Sequence, residues 1–372
     1  MKQVNLKVAH VPKNVAGLPA NLAHVEKSLG LDSKCSVLVD DPFVKNHDAY
    51  FSSGAGFLSG VIDRFRLFLS ILDVDIIHYN FGRCIFDWGH ITYDDAQENF
   101  NVVVKVKRTI SEIIIRILSG IDVRIFHLLG KKLCVTYQGD DARVSTKIAN
   151  KRAYYPEISI NPARDEINRS SIEYMSRYMT HIFYVNPDLG NYLPENSTFV
   201  PYAHISLDEW EPKYQQNKIP KILHAPSNRS IKGTEAVLKA LTKLKDEGAV
   251  FELVLVEKMN REQARKHYEA CDLLIDQLII GWYGGLAVEL MALGKPVICY
   301  LHQDDLSFIP KGMQNDIPII SADVFSIYDQ IKLFLNMSLD ERHRLGIRSR
   351  KYVEQWHNQE KIVSQLIEVY KQ

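Results

Sequence analysis

The sequence lacks a long hydrophobic run, an excess of charge of either sign and an apolar N-terminus. No apolar run approaches the ~20 residues that a helix needs to span a bilayer, and MKQVNLKVAHVP is too polar for a signal peptide. Lysine plus arginine equals aspartate plus glutamate at 45 each, so the chain lacks the overall basic charge typical of nucleic-acid-binding proteins. We therefore expect a cytoplasmic protein, neither secreted nor integral to a membrane, with no nucleic acid as its main partner.

Common metal and nucleotide motifs are also absent. The five cysteines are far apart, without CxxC or Cys/His spacing, which predicts reduced, buried thiols and no metal site. The histidines, His204 among them, are scattered without HExxH and are expected to be surface or packed residues. The first βα connection lacks GxGxxG, which argues against an NAD-binding unit there, and no GxxxxGK[ST] occurs to form a P-loop. A Ser/His/Asp hydrolase has no support.

The length and the alternation of apolar runs predict an α/β protein of two domains. A chain of 372 residues exceeds what one hydrophobic core usually organises, and 46% apolar with 24% charged residues is ordinary for a globular protein. Short strand-like runs alternate with longer helical patterns, which favours parallel sheets covered by helices. The runs form two series, first LKVAHVP, CSVLV, IIHYNFG, KLCVTYQG and HIFYVNP, then KILHAP, FELVLV, DLLIDQ, KPVICY and IPII.

A stretch rich in proline, tyrosine and tryptophan near residues 200–216 separates the two series. We place an N-terminal domain at residues 1–203, a C-terminal domain at 204–351 and a terminal helix at 352–372 that could pack on either domain. Each domain is expected to be a Rossmann-like, doubly wound parallel sheet. Such sheets bind ligands at the carboxyl ends of their strands, so the central cleft between two facing sheets is the expected site.

The segment CDLLIDQLIIGWYGGLAVELMALGKPVICY, residues 271–300, is the most informative. It predicts a strand, a glycine turn at Gly284 and Gly285 just before the helix-forming run LAVELMAL, and a second strand. A glycine turn that opens a helix directs backbone N–H groups and the positive end of the helix dipole to one point, which suits a phosphate. Glu289, about one turn into the helix, would reach past a phosphate to neutral hydroxyls such as a ribose diol. The alternative is a βαβ packing unit with a solvated Glu289.

This segment resembles the donor-binding element of GT-B glycosyltransferases, particularly the large retaining family four. The family's usual form is Glu-Gly-Phe-Gly-Leu, three residues, Glu-Ala-Met-Ala and, after a short gap, Gly-Lys/Thr-Pro-Val. The residues that match, in order, are Gly284, Glu289, Met291, Ala292, Gly294, Pro296 and Val297. The resemblance implies that the donor is bound by Gly284, Gly285, Leu286 and Glu289, together with Asp276.

One departure concerns the first glutamate of the family pattern, which contacts hydroxyls of the transferred sugar and which falls at Gly281 here. Donor-sugar recognition is therefore expected to differ. Asp276 and Gln277, at the end of the preceding strand, are the nearest polar replacements, or are only polar strand-end residues.

Upstream, KILHAPSNRSIKGTEAV resembles the family's Gly-Arg-Leu…Lys-Gly loop. Lys232 and Gly233 match, whereas Ser227 stands at the position of the arginine. Arg229 is the candidate for a second cation at the diphosphate, because a guanidinium makes bidentate contacts that lysine cannot. A solvated surface arginine is the alternative.

In the first half, KKLCVTYQGDDARVS resembles the family's strand that ends in His-Gly-x-Asp-x-Arg. Gly139, Asp141 and Arg143 match, and Gln138 replaces the histidine, so this side chain can offer an amide to a sugar but cannot carry a proton. A lone Gly17 lies in the first βα connection, where such enzymes have a glycine-containing loop on the acceptor side.

The resemblance implies a hexosyltransferase-type enzyme that transfers a sugar, with retention of anomeric configuration, from a UDP- or GDP-sugar to a saccharide or lipid-linked acceptor. It implies no cofactor and no metal. Lys232, Arg229 and the glycine turn would neutralise the diphosphate, and Asp141 and Gln138 would position the sugar. Two rivals stay open: a nucleotide-sugar 2-epimerase of the same fold, and a degenerate module that binds nucleotide-sugars without turnover.

Residues 105–132 combine lysine and arginine with dense isoleucine, leucine and valine. This composition is typical of an amphipathic surface that touches anionic lipid, here at the inner face of the membrane, as for enzymes with lipid-linked acceptors. More often, such a run is a core-facing helix pair with a solvated basic side.

Overall fold

The computed structural model describes residues 6–39, 46–54, 57–87, 118–152, 155–156, 159–214 and 217–372, and its strands form two parallel sheets. The strands of the first sheet are β1 (Lys7–Val11), β2 (Asp32–Val37), β3 (Ala49–Tyr50), β4 (Ile76–Asn80), β5 (Lys132–Tyr137), β6 (His181–Tyr184) and β7 (Thr198–Phe199). They lie in the order β3-β2-β1-β4-β5-β6-β7.

The second sheet comprises β8 (Lys221–His224), β9 (Glu252–Leu255), β10 (Leu273–Ile275), β11 (Val297–Cys299) and β12 (Ile320–Ser321). Its strands lie in the order β12-β11-β10-β8-β9. In both sheets the order reverses beside the first strand of the series, as in doubly wound folds.

The helices lie between and after these strands. They are α1 (Leu18–Ser28), α2 (Phe57–Ser70), α3 (Ile121–Leu128), α4 (Ser145–Lys151), α5 (Pro162–Ser176), α6 (Arg229–Lys232), α7 (Thr234–Asp246), α8 (Arg261–Ala270), α9 (Gly285–Ala292), α10 (Lys311–Asp316), α11 (Ile327–Asn336), α12 (Leu339–Trp356) and α13 (Gln359–Lys371).

Alternate residues of each strand pack on opposite faces, and helices cover both faces of both sheets. In β4, Ile77 packs on the side of α2, α3 and α5, whereas Ile76 packs on the side of α1 and α13. In β10, Leu274 faces α9 and α12, whereas Leu273 faces α7 and α11. Central strands are therefore buried on two sides, which explains their continuous apolar runs in the sequence.

The predicted α/β architecture is confirmed. Each strand-like run overlaps a strand, although IPII does so only at Ile320, because β12 starts there. The two-residue edge strands β3 and β7 were not predicted, since two residues are too few to show an alternation. All five cysteines are free and buried, as predicted.

The chain passes between the two sheets twice. The first crossing follows β7, and the second lies at His357, between α12 and α13. Helix α12 packs beside α9 on the second sheet, whereas α13 packs beside α1 on the first sheet. The crossings touch: Nδ1–H of His357 donates to the carbonyl of Tyr202 at 2.9 Å. Burial lowers the pKa of His357 to about 3, so its ring is neutral.

Among the described residues, no helix is long and apolar enough to cross a membrane. The segment 105–132, predicted to contact lipid or to form a core-facing helix pair, lies outside the described residues up to position 117. Its described end includes α3, which buries Val123 and Phe126 in the first core. Lipid contact stays a prediction.

Candidate active site

The carboxyl ends of the strands of the two sheets face each other. Arg152 follows β5 in the first sheet, and Asp305 follows β11 in the second. Nη2 of Arg152 donates to Oδ2 of Asp305 at 2.5 Å, and both side chains are buried. Asn191, which follows β6, donates to the other oxygen of Asp305 at 3.0 Å. Nearby, Gly190 packs so closely on Phe308 that no room is left for a Cβ. The region between the sheets is thus where α/β proteins of this kind bind ligands.

Helix α9 begins at the predicted glycine turn. Gly284 is its N-cap, and the N–H of Gly284 donates to Oδ2 of Asp276 at 2.8 Å. The first bonds of the helix are accepted by the carbonyl of Gly284, so the N–H groups of Gly285 and Leu286 have no acceptor among the described residues. The turn therefore presents open donors at the positive end of the helix dipole.

Lys232 lies beside this turn. Its Nζ is 2.5 Å from Oδ1 of Asp276 and 3.6 Å from the position that a Cβ on Gly284 would take. The lysine follows β8 and the aspartate follows β10, the neighbouring strand, which is why they meet. The Asp276 side chain is only 1% exposed and that of Lys232 is 13% exposed. Asp276 thus fixes Lys232 and Gly284 in one arrangement, and its predicted contact with the donor sugar stays a prediction.

Glu289 lies one turn into α9, and its side chain is 16% exposed. Its Oε1 is 3.7 Å from Nε2 of His204 and 3.8 Å from Nη2 of Arg261, both beyond hydrogen-bond distance. Burial, followed by the charge of Glu289, raises the pKa of the neighbouring Tyr268 to about 12. The Glu289 carboxylate is therefore partly enclosed and makes no direct hydrogen bond to His204 or Arg261, which leaves Oε1 able to accept a hydrogen bond from a ligand.

His204 is the one residue of this group that the sequence analysis did not single out. It lies in the first crossing, where its carbonyl accepts a hydrogen bond from Asn21 of α1. Its ring is 6% exposed, and neither Nδ1 nor Nε2 has a hydrogen-bond partner among the described residues. Nε2 lies 3.1 Å from the position of a Cβ on Gly285. No motif marks a lone linker histidine, so only the fold reveals it.

Arg229 lies apart from the group around Gly284. Its guanidinium is about half exposed and makes a bidentate pair with Glu257, with Nε and Nη2 each 2.8 Å from a carboxylate oxygen. It lines a cavity of about 730 Å³ between α7 and the start of α11. Both predicted cations are thus paired with a carboxylate, and they differ in place: Lys232 lies beside Gly284, whereas Arg229 is held by Glu257 at the edge of this cavity.

At the end of β5, Asp141 shapes the turn that Gln138 begins. Its carboxylate accepts the backbone N–H groups of Gln138 at 3.0 Å and Gly139 at 2.5 Å. Burial raises the pKa of Asp141 to about 6 in spite of these hydrogen bonds. The side-chain Nε2 of Gln138 is buried and has no partner among the described residues. Of the two, Gln138 is the side chain with an unpartnered polar atom, and that atom is buried.

Arg143 and Gly17 have structural environments of their own. Arg143 donates to Asp188 from Nε at 2.7 Å and from Nη2 at 3.2 Å. Burial alone would lower the pKa of Arg143, but the charge and hydrogen bonds of Asp188 outweigh it and raise the pKa. Gly17 is buried and has φ +74°, the left-handed region that favours glycine, and it caps α1 at the carboxyl end of β1. It lies four residues before Asn21, which holds the linker at His204.

The structure also explains why the first family glutamate has no counterpart. Gly281 has φ +94°, and a Cβ there would lie 2.6 Å from Cβ of His302 and 3.0 Å from Nη2 of Arg152. No glutamate fits at this position. Gln277, a candidate replacement, instead donates its amide to the carbonyl of Trp282.

The assembled group consists of open backbone donors, one lysine, one carboxylate and one unpartnered imidazole. The donors and Lys232 suit an anion, whereas Glu289 suits hydroxyl groups. Among the described residues, no three His, Cys, Asp or Glu side chains are grouped so that they could hold a metal ion. The arrangement is suited to a ligand that carries phosphate at one end and hydroxyls beside it.

No protein-family model and no curated protein matches the sequence. Solved structures are nevertheless similar along almost the whole chain. Sucrose-phosphate synthase of Thermosynechococcus elongatus has a TM-score of 0.62 at 14% identity, over 98% of this chain and 98% of that chain. HepE of Anabaena, in complex with UDP-glucose, has a TM-score of 0.58 at 10% identity, over 98% and 99%. The catalytic domain of starch synthase IV of Arabidopsis thaliana, bound to ADP and acarbose, has 0.58 at 11%, over 98% of each chain.

At such identities the similarity is one of fold. Together with the two facing parallel sheets, it shows that the chain has the GT-B fold that the sequence predicted.

Proposed function

We propose that the protein is a retaining glycosyltransferase that transfers a hexosyl group from a nucleotide-sugar to a saccharide or lipid-linked acceptor. The observation that carries the proposal is the open N-terminus of α9, with Lys232 beside it, between two facing sheets. Structures of the same fold hold UDP-glucose in HepE and ADP with acarbose in starch synthase IV, which supports a nucleotide-sugar and a glycan as substrates.

The diphosphate would lie at the N–H groups of Gly285 and Leu286. When the bond from the anomeric carbon to the diphosphate breaks, the electron pair stays with the phosphate oxygen, and negative charge grows there. Lys232 is held 2.5 Å from Asp276, so it is already oriented when this charge develops. The acceptor hydroxyl forms the new bond to the anomeric carbon, its proton passes to the departing phosphate oxygen, and nucleoside diphosphate leaves.

We propose that Lys232 and the helix dipole supply the positive charge at the diphosphate, so that no metal or cofactor is needed. A cation fixed by a buried carboxylate costs no reorganisation during the reaction. Gln138, whose amide is buried without a partner among the described residues, would position the sugar from the first sheet, and Gly17 would lie on the acceptor side.

The test is incubation with a panel of UDP-, GDP- and ADP-sugars, with and without glycan or lipid-linked acceptors. We expect nucleoside diphosphate release that persists in EDTA, and a glycoside that retains the anomeric configuration by NMR. A changed sugar on intact nucleotide would indicate a 2-epimerase instead. Tight binding without any release would indicate a degenerate binding module.

A further inference from the structure

Lys13 is a partly buried cation that the described part of the chain leaves without a counterion. It lies two residues after β1, where its backbone pairs with Val39 and extends the pairing of β1 with β2. Its Nζ lies 5.5 Å from the centre of the Phe81 ring and makes no hydrogen bond or ion pair with a described residue. A cation–π contact offsets only part of the hydration that burial removes. The backbone of Lys13 is thus fixed, and its charge is left for a ligand.

The charges around Lys13 do not neutralise it. Burial is the largest cause that lowers the pKa of Lys13; the charges of Asp87 and Asp141 raise this pKa, and those of Arg83 and Arg64 lower it. Both carboxylates are bound elsewhere, because Asp87 lies 3.5 Å from Nη1 of Arg83 and Asp141 accepts two backbone N–H groups. An anion that binds beside Lys13 would therefore stabilise its charged form.

The place of Lys13 in the first sheet is where doubly wound folds bind ligands. Strand β1 lies between β2 and β4, so the connection after β1 leads to one side and the connection after β4 to the other. Such a reversal opens a crevice at the carboxyl ends of the two strands. Lys13 follows β1 and Phe81 follows β4, so their contact lies across this crevice. Because Lys13 is partly exposed, a ligand in the crevice can reach it.

The connection after β4 carries backbone strain beside Lys13. Phe81 has φ +58°, the left-handed region that bulky residues seldom adopt. Gly82 follows with φ +56°, and a Cβ there would overlap the Tyr137 ring, so no side chain fits. Strain of this kind is concentrated at binding sites, where the surrounding structure maintains it. The strain thus supports a ligand site at Lys13 independently of the charges.

The position of Lys13 indicates which substrate would carry the anion. The donor diphosphate is proposed to lie at α9 in the second sheet, beside Lys232, whereas Lys13 lies in the first sheet. Lys13 is four residues before Gly17, in the connection proposed for the acceptor side. A lysine is a compact point charge, which suits a carboxylate or a phosphate group.

We propose that Lys13 binds a carboxylate or phosphate group of the acceptor, so that the enzyme selects an acidic acceptor over a neutral one. This inference rests on the proposed function, since it requires an acceptor in the cleft. Lys13 is then a residue that determines acceptor specificity and takes no part in the chemical step.

The experiment titrates three sugars into the full chain in the presence of the nucleoside diphosphate that it binds. The sugars are methyl glucoside, glucuronate and glucose 6-phosphate, so that the two anions distinguish a carboxylate from a phosphate. Calorimetry should show that one of the anions binds about tenfold tighter than the neutral sugar, or more. Lys13→Gln should weaken binding of that anion about tenfold and change binding of methyl glucoside by less than about twofold. Lys13→Arg, which keeps the charge, should retain most of the affinity.

Transfer assays provide a kinetic measurement of the same effect. With the preferred anionic acceptor, Lys13→Gln should raise the acceptor KM about tenfold. The donor KM and the rate of donor hydrolysis without acceptor should each change by less than about twofold, because Lys13 does not touch the donor.

The matched control is Lys7→Gln, which removes the same charge from the opposite end of the same strand. Lys7 pairs with Asp73 at 2.8 Å, and its replacement should leave sugar binding unchanged. Thermal unfolding separates lost binding from lost folding. Because Lys13→Gln removes a cation that burial disfavours, this variant should melt at or above the wild-type temperature.

Three results would overturn the inference. They are anionic sugars that bind no tighter than methyl glucoside, an equal loss for anionic and neutral sugars in Lys13→Gln, and a loss of donor binding alone in that variant. Each leaves the proposed function intact as long as the donor panel still yields nucleotide release. If the wild-type protein neither binds nucleoside diphosphates nor releases them from any donor, the proposed function itself fails.

Discussion

At the scale of single residues, the pairing of Lys232 with Asp276 sets apart the two predicted cations. Lys232 is largely enclosed and points at Gly284, whereas Arg229 is about half exposed and paired with Glu257. Of the two, Lys232 is the one that lies beside the glycine turn.

We predict that Lys232→Ala lowers kcat at least tenfold as well as donor affinity, because charge on the diphosphate grows in the transition state. Arg229→Ala is the matched control and should have the smaller effect on kcat. Steady-state kinetics with saturating donor measure both. A Lys232 variant that raises only KM would show uniform binding without a catalytic role.

The buried carboxyl of Asp141 gives a prediction of pH dependence. Its folded pKa is raised to about 6, above the value of 3.8 for an unperturbed aspartate. Between these values the folded state binds more protons than the unfolded state, so the contribution of Asp141 to stability falls as pH rises from about 4 to above 6.

We therefore compare the free energy of unfolding of wild type with that of Asp141→Asn. Between pH 4 and pH 7 the wild type should lose roughly 1–3 kcal/mol of stability relative to the variant. Asparagine cannot ionise but can still accept a backbone N–H. Urea unfolding at several pH values checks this. A constant difference across the range would mean that Asp141 titrates normally.

Residue patterns predicted the glycine turn, and the resemblance placed Lys232 and Asp276 in the same site, but neither predicted that these two side chains pair or that His204 lies beside them. Gly284 and Gly285 could be recognised from the sequence because two glycines just before a helix-forming run are typical of a turn that opens a helix. The Lys232–Asp276 pair joins positions 44 apart, and His204 stands in no motif at all. Such contacts depend on strand order and side-chain direction, which a single sequence does not contain.

At the scale of secondary-structure elements, the terminal helix α13 is anchored to the first sheet by a polar contact inside its core. The hydroxyl of Tyr370 lies 2.6 Å from Nδ1 of His78, whose Nε2 lies 2.7 Å from the hydroxyl of Thr136 in β5. Lys132 also donates to the carbonyl of Tyr370, at the negative end of the helix dipole. The sequence showed the amphipathic pattern of this helix but left its docking place open.

We predict that Tyr370→Phe lowers the free energy of unfolding by ~1–3 kcal/mol, because a buried imidazole nitrogen loses its partner while the ring volume is kept. Gln365→Ala, on the exposed face of the same helix, should change stability little. Denaturant unfolding of both variants is the measurement. Equal stability of the Tyr370 variant and wild type would contradict this account.

At the scale of the whole molecule, Arg152, Asn191 and Asp305 form a buried polar link between the two sheets. The Arg152 and Asp305 side chains are 6% and 2% exposed. The sequence shows that Arg152 and Asp305 are charged, but it does not predict that two residues 153 positions apart form an ion pair.

We predict that Arg152→Ala destabilises the closed arrangement by ~3–5 kcal/mol, since Asp305 keeps a buried charge without its cation. Small-angle X-ray scattering should show a larger radius of gyration. Arg177→Ala, which removes an exposed pair with Glu173, should leave scattering unchanged. Removing the Asp305 carboxylate as well should recover part of the lost stability. An Arg152→Ala variant with wild-type scattering and stability would show that this polar link does not hold the two sheets together.

The contact between His357 and the Tyr202 carbonyl has a mechanical consequence. Two connecting segments that are fastened to each other act as a pivot, so rigid-body opening of the molecule becomes rotation about that point. Displacement in a rotation grows with distance from its axis. His204, two residues from the pivot, should therefore move less against α9 than the more distant parts of the cleft.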